Sequence, residues 1–179
     1  MTTALIIIDV QRGLFDDEPR PYEADAVVGR INALAERARA SGAPVVFVQH
    51  ERAEGMLQYG SESWQLERNL IVKEGDVFVR KSTPDSFLGT PLAELLAARG
   101  AKRLVICGYA SEFCVDTTTR RAAALGFPVL LAADAHTTHD KEHAGGRQIR
   151  EHHNITLANV TSFGPRIVAT ESAHIVFQN

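Results

Sequence analysis

Five short apolar runs punctuate the chain, at residues 4–10, 44–49, 77–80, 103–108 and 128–132. Each is continuously rich in Val, Ile and Leu rather than alternating with polar residues. That is the pattern of strands covered on both faces, and it predicts a parallel sheet. Helical stretches at 25–41, 91–99 and 116–125 each give way to a glycine, Gly42, Gly100 and Gly126, of the kind that ends helices. Each of the five runs is followed by a helical pattern, and a later helix over 141–157 with a weaker strand over 166–170 brings the expected count to six of each. Strand, helix and strand in repetition predict an α/β fold. The expected form is a three-layer Rossmann-like open sheet of about six parallel strands with helices on both faces, built as one domain over residues 1–179.

One segment breaks this rhythm. Residues 51–74 carry Gly55, Met56, Tyr59, Gly60, Trp64 and Leu70 with no clean period. The segment reads as a long excursion with one helical turn at most. Ordered excursions of that length commonly serve function; the alternative is a surface loop whose Trp64 plugs the core.

Composition narrows the class. A chain of 179 residues, 45% hydrophobic and 23% charged with seven prolines, can bury a substantial core and shows no low-complexity tail. The net charge is −3, and the densest basic spots, Arg37/Arg39, Arg80/Lys81 and Arg120/Arg121, read as solvated helix faces. A nucleic-acid partner is therefore not expected. No stretch approaches the ~20 apolar residues of a membrane span, and the run 4–8 is too short for a signal-peptide core. Two cysteines without metal-pair spacing fit a reducing compartment, so a cytoplasmic, soluble protein without membrane association is expected.

In open parallel sheets the working residues gather at the carboxyl ends of strands. That rule selects Asp9, His50, Lys81 and the loop leading to Cys114. Cys114 follows the apolar run 104–107 and precedes the alanine-rich segment 116–125, so it falls on the first turn of a helix. There, free N–H groups and the helix dipole are expected to stabilise a thiolate. Taken alone Cys114 is either a nucleophile or a small buried hydrophobe; Cys107, inside a strand, is the latter. Asp9 interrupts a run of isoleucines and must find a partner or rise in pKa. Lys81 is either a snorkelling lysine or an ammonium that holds a neighbouring carboxylate or thiolate in its charged form.

Taken together, these residues resemble a known family. Asp9 in Ile-Ile-Asp-Val-Gln, Lys81 in Val-Arg-Lys ahead of Ser86-Phe87, and residues 108–115 as Gly-x-x-(Ser/Thr)-x-x-Cys-Val resemble the isochorismatase-like cysteine hydrolases. That family includes nicotinamidases and N-carbamoylsarcosine amidases. The likeness extends through Thr117, Ala122, Gly126 and Asp134-Ala135 to His153-Asn154. It implies a catalytic triad of Asp9, Lys81 and Cys114, in which Asp9 moves the proton, Lys81 orients Asp9 and favours the thiolate, and Cys114 forms a thioester. It also implies a cis Tyr109–Ala110 peptide, an oxyanion hole from the N–H groups of Ala110 and Cys114, and a homo-oligomer, dimer or tetramer.

The chain departs from parts of that family. Nicotinamidases carry an Asp-x-His metal pair, whereas this chain reads Val48-Gln49-His50-Glu51, so neither a metal nor any other cofactor is expected. His136, His139, His143, His152 and His153 read as loop and helix-face residues without a His-Glu-x-x-His frame. A substrate pocket is expected from Phe15, His50, Trp64, Phe87, Tyr109 and Phe113, suiting a flat or apolar small molecule. The expected activity is metal-independent cleavage of the C–N bond of a small amide or carbamoyl compound. The alternatives are an isochorismatase-type vinyl ether hydrolase using Asp9 as acid, and a binding or redox module. The last lacks a Gly-x-Gly-x-x-Gly after the first strand and a Cys-x-x-Cys.

Overall fold

A computed structural model describes residues 2–177. The strands in chain order are β1 (Thr3–Ile8), β2 (Val45–His50), β3 (Val77–Lys81), β4 (Arg103–Tyr109), β5 (Val129–Thr137) and β6 (Ile167–Thr170). They form one sheet in the order β3-β2-β1-β4-β5-β6, with every neighbouring pair parallel. The helices are α1 (Arg12–Phe15), α2 (Ala24–Ala40), α3 (Leu92–Ala98), α4 (Asp116–Ala124) and α5 (Gly146–Asn159). A π-helical turn, Ser111–Val115, runs directly into α4, and a 3-10 turn covers Ser172–His174. Among the described residues, none of the helices is long and apolar enough to cross a membrane.

The continuous apolar strands supply two cores because successive side chains leave opposite faces of a strand. Leu5 and Ile7 of β1, Val45 and Phe47 of β2, and Val105 and Cys107 of β4 pack with Val27, Ile31 and Leu34 of α2 on one face. Ala4, Ile6 and Ile8, with Val46, Val48, Leu104 and Ile106, pack on the other face against Leu92 and Leu96 of α3, Ala122 and Ala123 of α4, and Leu157 of α5. The result is the expected three-layer α/β architecture with helices on both faces.

The chain builds outward from β1 through β2 to β3, then returns to the other side of β1 with β4, β5 and β6. The carboxyl ends of β1 and β4 therefore flank the point where the winding reverses, the crevice in which open sheets present their chemistry. Gly108 makes that crevice possible. It stands at φ 115°, and a Cβ there would lie 2.1 Å from the Ile8 carbonyl oxygen, so no side chain fits between β4 and β1.

The boundaries differ from expectation where tertiary contacts intervene. β1 stops at Ile8 rather than residue 10 because Asp9 takes a left-handed conformation at φ 51°. β5 runs five residues past its apolar segment, to Thr137. Its offset from β4 grows from 25 positions (Ile106 with Leu131) to 28 (Gly108 with His136), so residues 133–135 bulge out of the ladder. α5 begins at Gly146 rather than residue 141. Gly146 lies so close to the Thr138 carbonyl that a Cβ would approach it to 2.6 Å, and its N–H is held by Asp140 Oδ1 at 2.7 Å. The 51–74 excursion contains no helical turn, only bends, turns and isolated bridges, including Gln11 with Leu66. Among the described residues the α-helices number five, not six.

Candidate active site

Four elements deliver the side chains that the strand-end rule selected. Asp9 directly follows β1, His50 ends β2, Lys81 ends β3, and the π-helical turn after β4 carries Cys114. The left-handed Asp9 matters here. Continued alternation would send its side chain to the α2 face with Leu5 and Ile7; the break in φ turns the carboxylate to Lys81, which shares the face of Val79.

Lys81 is the hub. Its ammonium donates to Asp9 Oδ2 at 2.7 Å, to His50 Nδ1 at 3.1 Å and to Cys114 Sγ at 3.3 Å. Three acceptors match its three protons, so a lysine side chain that is 0% exposed remains fully satisfied. The Asp9 side chain is 2% exposed, and while Oδ2 holds the ammonium, Oδ1 is buried with no partner. A desolvated lone pair of that kind is a ready proton acceptor.

The electrostatics correct one expectation. Burial, reinforced by the neighbouring Asp9 charge, pushes the Cys114 thiol up to about 12, and the attraction of Lys81 does not offset it. Cys114 therefore rests as a thiol, whereas its position at a helix start predicted a thiolate. The helix start is weaker than a regular N-terminus, because it is a π-turn whose Phe113 and Val115 N–H groups both close on the Ala110 carbonyl at 3.0 and 3.1 Å. Burial and the Lys81 charge also push the His50 pKa down. His50 is then neutral and must carry its proton on Nε2, since Nδ1 accepts from Lys81.

An oxygen of Asp9, a ring nitrogen of His50 and Cys114 Sγ lie within 4.8 Å of one another, which raises the question of a metal. The donor set does not fit one. The same three groups already surround the Lys81 ammonium, and a divalent ion would need their lone pairs while sitting against a buried positive charge. Of the histidine cluster, His143, His152 and His153 line one cavity, and the rings of the last two meet edge-on at 5.3 Å. His136 bonds Ser111 and Asn154, His139 bonds the Tyr109 hydroxyl, His152 bonds Thr156, and His153 bonds the Ile149 carbonyl.

The Tyr109–Ala110 peptide is cis, and Tyr109 is braced on both sides. Its hydroxyl lies 2.8 Å from His139 Nδ1, and its ring meets Phe15 edge-on at 5.8 Å. Burial holds the Tyr109 hydroxyl protonated, with its pKa pushed up to about 12.

The six aromatic and imidazole side chains expected to line a pocket separate into three groups. His50 and Tyr109 adjoin the Cys114 cluster, and Trp64 lines a cavity of about 660 Å3 with Gln49, Glu51, Tyr59, Arg80 and Lys81. Phe15 and Phe87 do not line it. Phe15, at the end of α1, is completely buried behind Tyr109, and Phe87, in the loop between β3 and α3, stacks on Phe127 in the opposite core. Phe113 points the other way: it is 54% exposed, with Lys141 Nζ 5.5 Å from its ring.

Two residues that stand in the quoted motifs without a role of their own, Gln11 and Ser111, hold the site in shape. Gln11 is buried, and its amide donates to the carbonyls of His50 at 3.0 Å and Trp64 at 2.8 Å while accepting from the His50 N–H at 2.9 Å. It thereby clamps the long 51–74 excursion to the end of β2. Ser111 is buried against His136. The signal for Gln11 was its position two residues after Asp9; polar residues in buried strand-end sequences have few reasons to be there other than to bond backbone.

Comparison with known proteins bears on the family and the fold. Residues 3–163 match the isochorismatase domain. A streptothricin hydrolase of Streptomyces noursei is 39% identical over 140 residues, covering 76% of this chain and 50% of that protein, so the chain spans only half the length of this relative. A ureidoacrylate amidohydrolase of Methylobacterium radiotolerans is 28% identical over 199 residues, covering 90% of this chain and 74% of the relative. The crystal structure of an isochorismatase family protein superposes with a TM-score of 0.86 at 36% identity, over 94% of this chain and 98% of its own. With the domain matched over residues 3–163 and the fold shared with a family member, the chain belongs to the isochorismatase-like hydrolase family.

Proposed function

We propose that this protein is a cysteine hydrolase that cleaves the C–N bond of a small amide or carbamoyl compound without a metal. The observation that carries the reading is the Lys81 ammonium bonded at once to Asp9 Oδ2 and Cys114 Sγ, with Asp9 Oδ1 left without a partner. Two relatives support hydrolysis, one named for streptothricin and one for an amidohydrolase reaction.

Because Cys114 rests as a thiol, attack and deprotonation belong to one event. Sγ bonds to the substrate carbonyl carbon as the thiol proton passes to Asp9 Oδ1, and the carbonyl becomes an oxyanion facing the N–H groups of Ala110 and Cys114. Collapse of the tetrahedral adduct breaks the C–N bond, and Asp9 returns the proton to the departing amine. Water then attacks the thioester, its proton goes to Asp9, the C–S bond breaks, and the thiol is restored with that proton. Lys81 keeps its charge throughout. It stays bonded to Asp9 Oδ2 and steadies the sulfur as negative charge develops.

The test is ammonia or amine release from a panel of primary amides, ureido and carbamoyl compounds, with isochorismate included, using the protein and its Cys114→Ala variant. Turnover of a C–N substrate that disappears in C114A supports the reading. Cleavage of isochorismate that survives C114A would replace it with Asp9-driven ether hydrolysis.

A further inference from the structure

Beside the site, buried Ser111 and His136 and partly buried Asn154, from three elements, form a chain that plays no part in the proposed mechanism. Ser111 Oγ lies 2.8 Å from His136 Nδ1, His136 Nε2 lies 2.8 Å from Asn154 Oδ1, and Asn154 Nδ2 donates to the Ala133 carbonyl at 2.9 Å. We propose that Ser111, His136 and Asn154 are positioning residues that tie the nucleophile turn to β5 and α5 and so hold the Ala110 and Cys114 N–H groups in catalytic register. This rests on the cysteine-hydrolase reading.

Every proton in the chain has a forced place. Asn154 commits its NH2 to Ala133, so its oxygen faces His136 and must accept from Nε2–H. Nδ1 is then a bare acceptor, and the Ser111 hydroxyl must donate to it. Burial keeps His136 neutral, with its pKa pushed down to about 4, so this arrangement persists across the neutral range. The anchor point for Asn154 comes from the β5 bulge, since Ala133 lies in the stretch that has left the β4 ladder.

The location gives the chain its purpose. Ser111 is the first residue of the π-turn, directly after the cis Tyr109–Ala110 peptide and three residues before Cys114. Backbone bonds within that turn converge on Ala110, whereas the Ser111 hydroxyl ties the turn's first residue to a neighbouring strand. Ser111 and His136 are both 0% exposed and bonded to each other, which suits a positioning role behind the nucleophile. A small displacement of a nucleophile and its oxyanion donors costs rate far more than binding.

The experiment compares wild type, Ser111→Ala and Ser111→Thr by steady-state kinetics on the best C–N substrate of the panel, and by peptide-resolved amide hydrogen exchange. Expected for S111A is a fall in kcat of about ten- to a hundredfold with KM changed by less than about threefold, recovered in S111T, which keeps the hydroxyl. Exchange should accelerate in the segment 109–115 and stay unchanged in α2. Unchanged exchange at 109–115, an acceleration spread over the whole sheet, or an unchanged kcat in S111A would each overturn the proposal. A wild type that releases no amine from any substrate would sink the hydrolase reading instead, and the exchange data would still decide whether the chain positions the turn.

Discussion

Lys81 Nζ and Asp9 Oδ2 meet at 2.7 Å although 72 residues separate them in sequence, and both side chains are sealed from water. A buried pair of this kind is weak evidence for stability, because desolvation consumes most of the Coulomb gain. Its geometry is what matters. The ammonium reaches the thiol through its other protons, so the pair joins the two ends of the proposed chemistry.

Replacing Lys81 with methionine leaves Asp9 buried and uncompensated. We expect Lys81→Met to lose about 3–5 kcal/mol of unfolding free energy together with all turnover. Adding Asp9→Asn to it should restore most of the stability and none of the activity. Urea denaturation of the two variants decides this, and a single variant as stable as wild type would contradict the buried geometry.

Asp9 raises the Cys114 pKa and is also the proposed acceptor of its proton. In wild type the rate of iodoacetamide labelling at Cys114, followed on its peptide by mass spectrometry, should climb with pH and show no plateau below about 11. Asp9→Asn removes the repelling charge while Lys81 remains. Labelling at pH ~8 should then rise by about tenfold while hydrolysis is lost. Slower labelling in Asp9→Asn would show that Asp9 activates the resting thiol, against the mechanism proposed.

His136 is held neutral by burial, with its pKa lowered from 6.5 to about 4. The unfolded chain therefore binds a proton that the folded chain refuses between those values. The stability tied to neutral His136 is fully present above pH ~6.5 and is lost as pH falls towards the folded value. One such group contributes about 3 kcal/mol of pH dependence. Chemical denaturation at pH ~7 and pH ~4.5 should show a large part of that loss in wild type and a shallower one in His136→Gln. Equal pH slopes for the two proteins would refute the assignment.

Gly108→Ala is expected to be severe, because the new Cβ would lie 2.1 Å from the Ile8 carbonyl and the backbone stands at φ 115°. A loss of at least about 3 kcal/mol, or failure to accumulate as folded protein, is expected from the combined clash and strain. Circular dichroism melting checks it: a Tm within a few degrees of wild type would mean that β1 and β4 are not so closely apposed.

The amino-acid sequence by itself determined the sheet, its parallel sense and the helices on both faces. Continuous apolar runs such as Leu5 to Ile8 have only one stable fate in water, burial on both sides. It also determined that Asp9, His50, Lys81 and Cys114 fall at strand ends, which is a matter of counting along the chain. Tertiary structure decided what periodicity cannot carry. The left-handed turn at Asp9 aims its carboxylate at Lys81, and depth of burial makes Cys114 a resting thiol. Packing set Phe15 and Phe87 in the two cores, and the β5 bulge brought His136 to Ser111. Each of these depends on distance and dielectric between residues far apart in sequence, and those quantities exist only once the chain has packed.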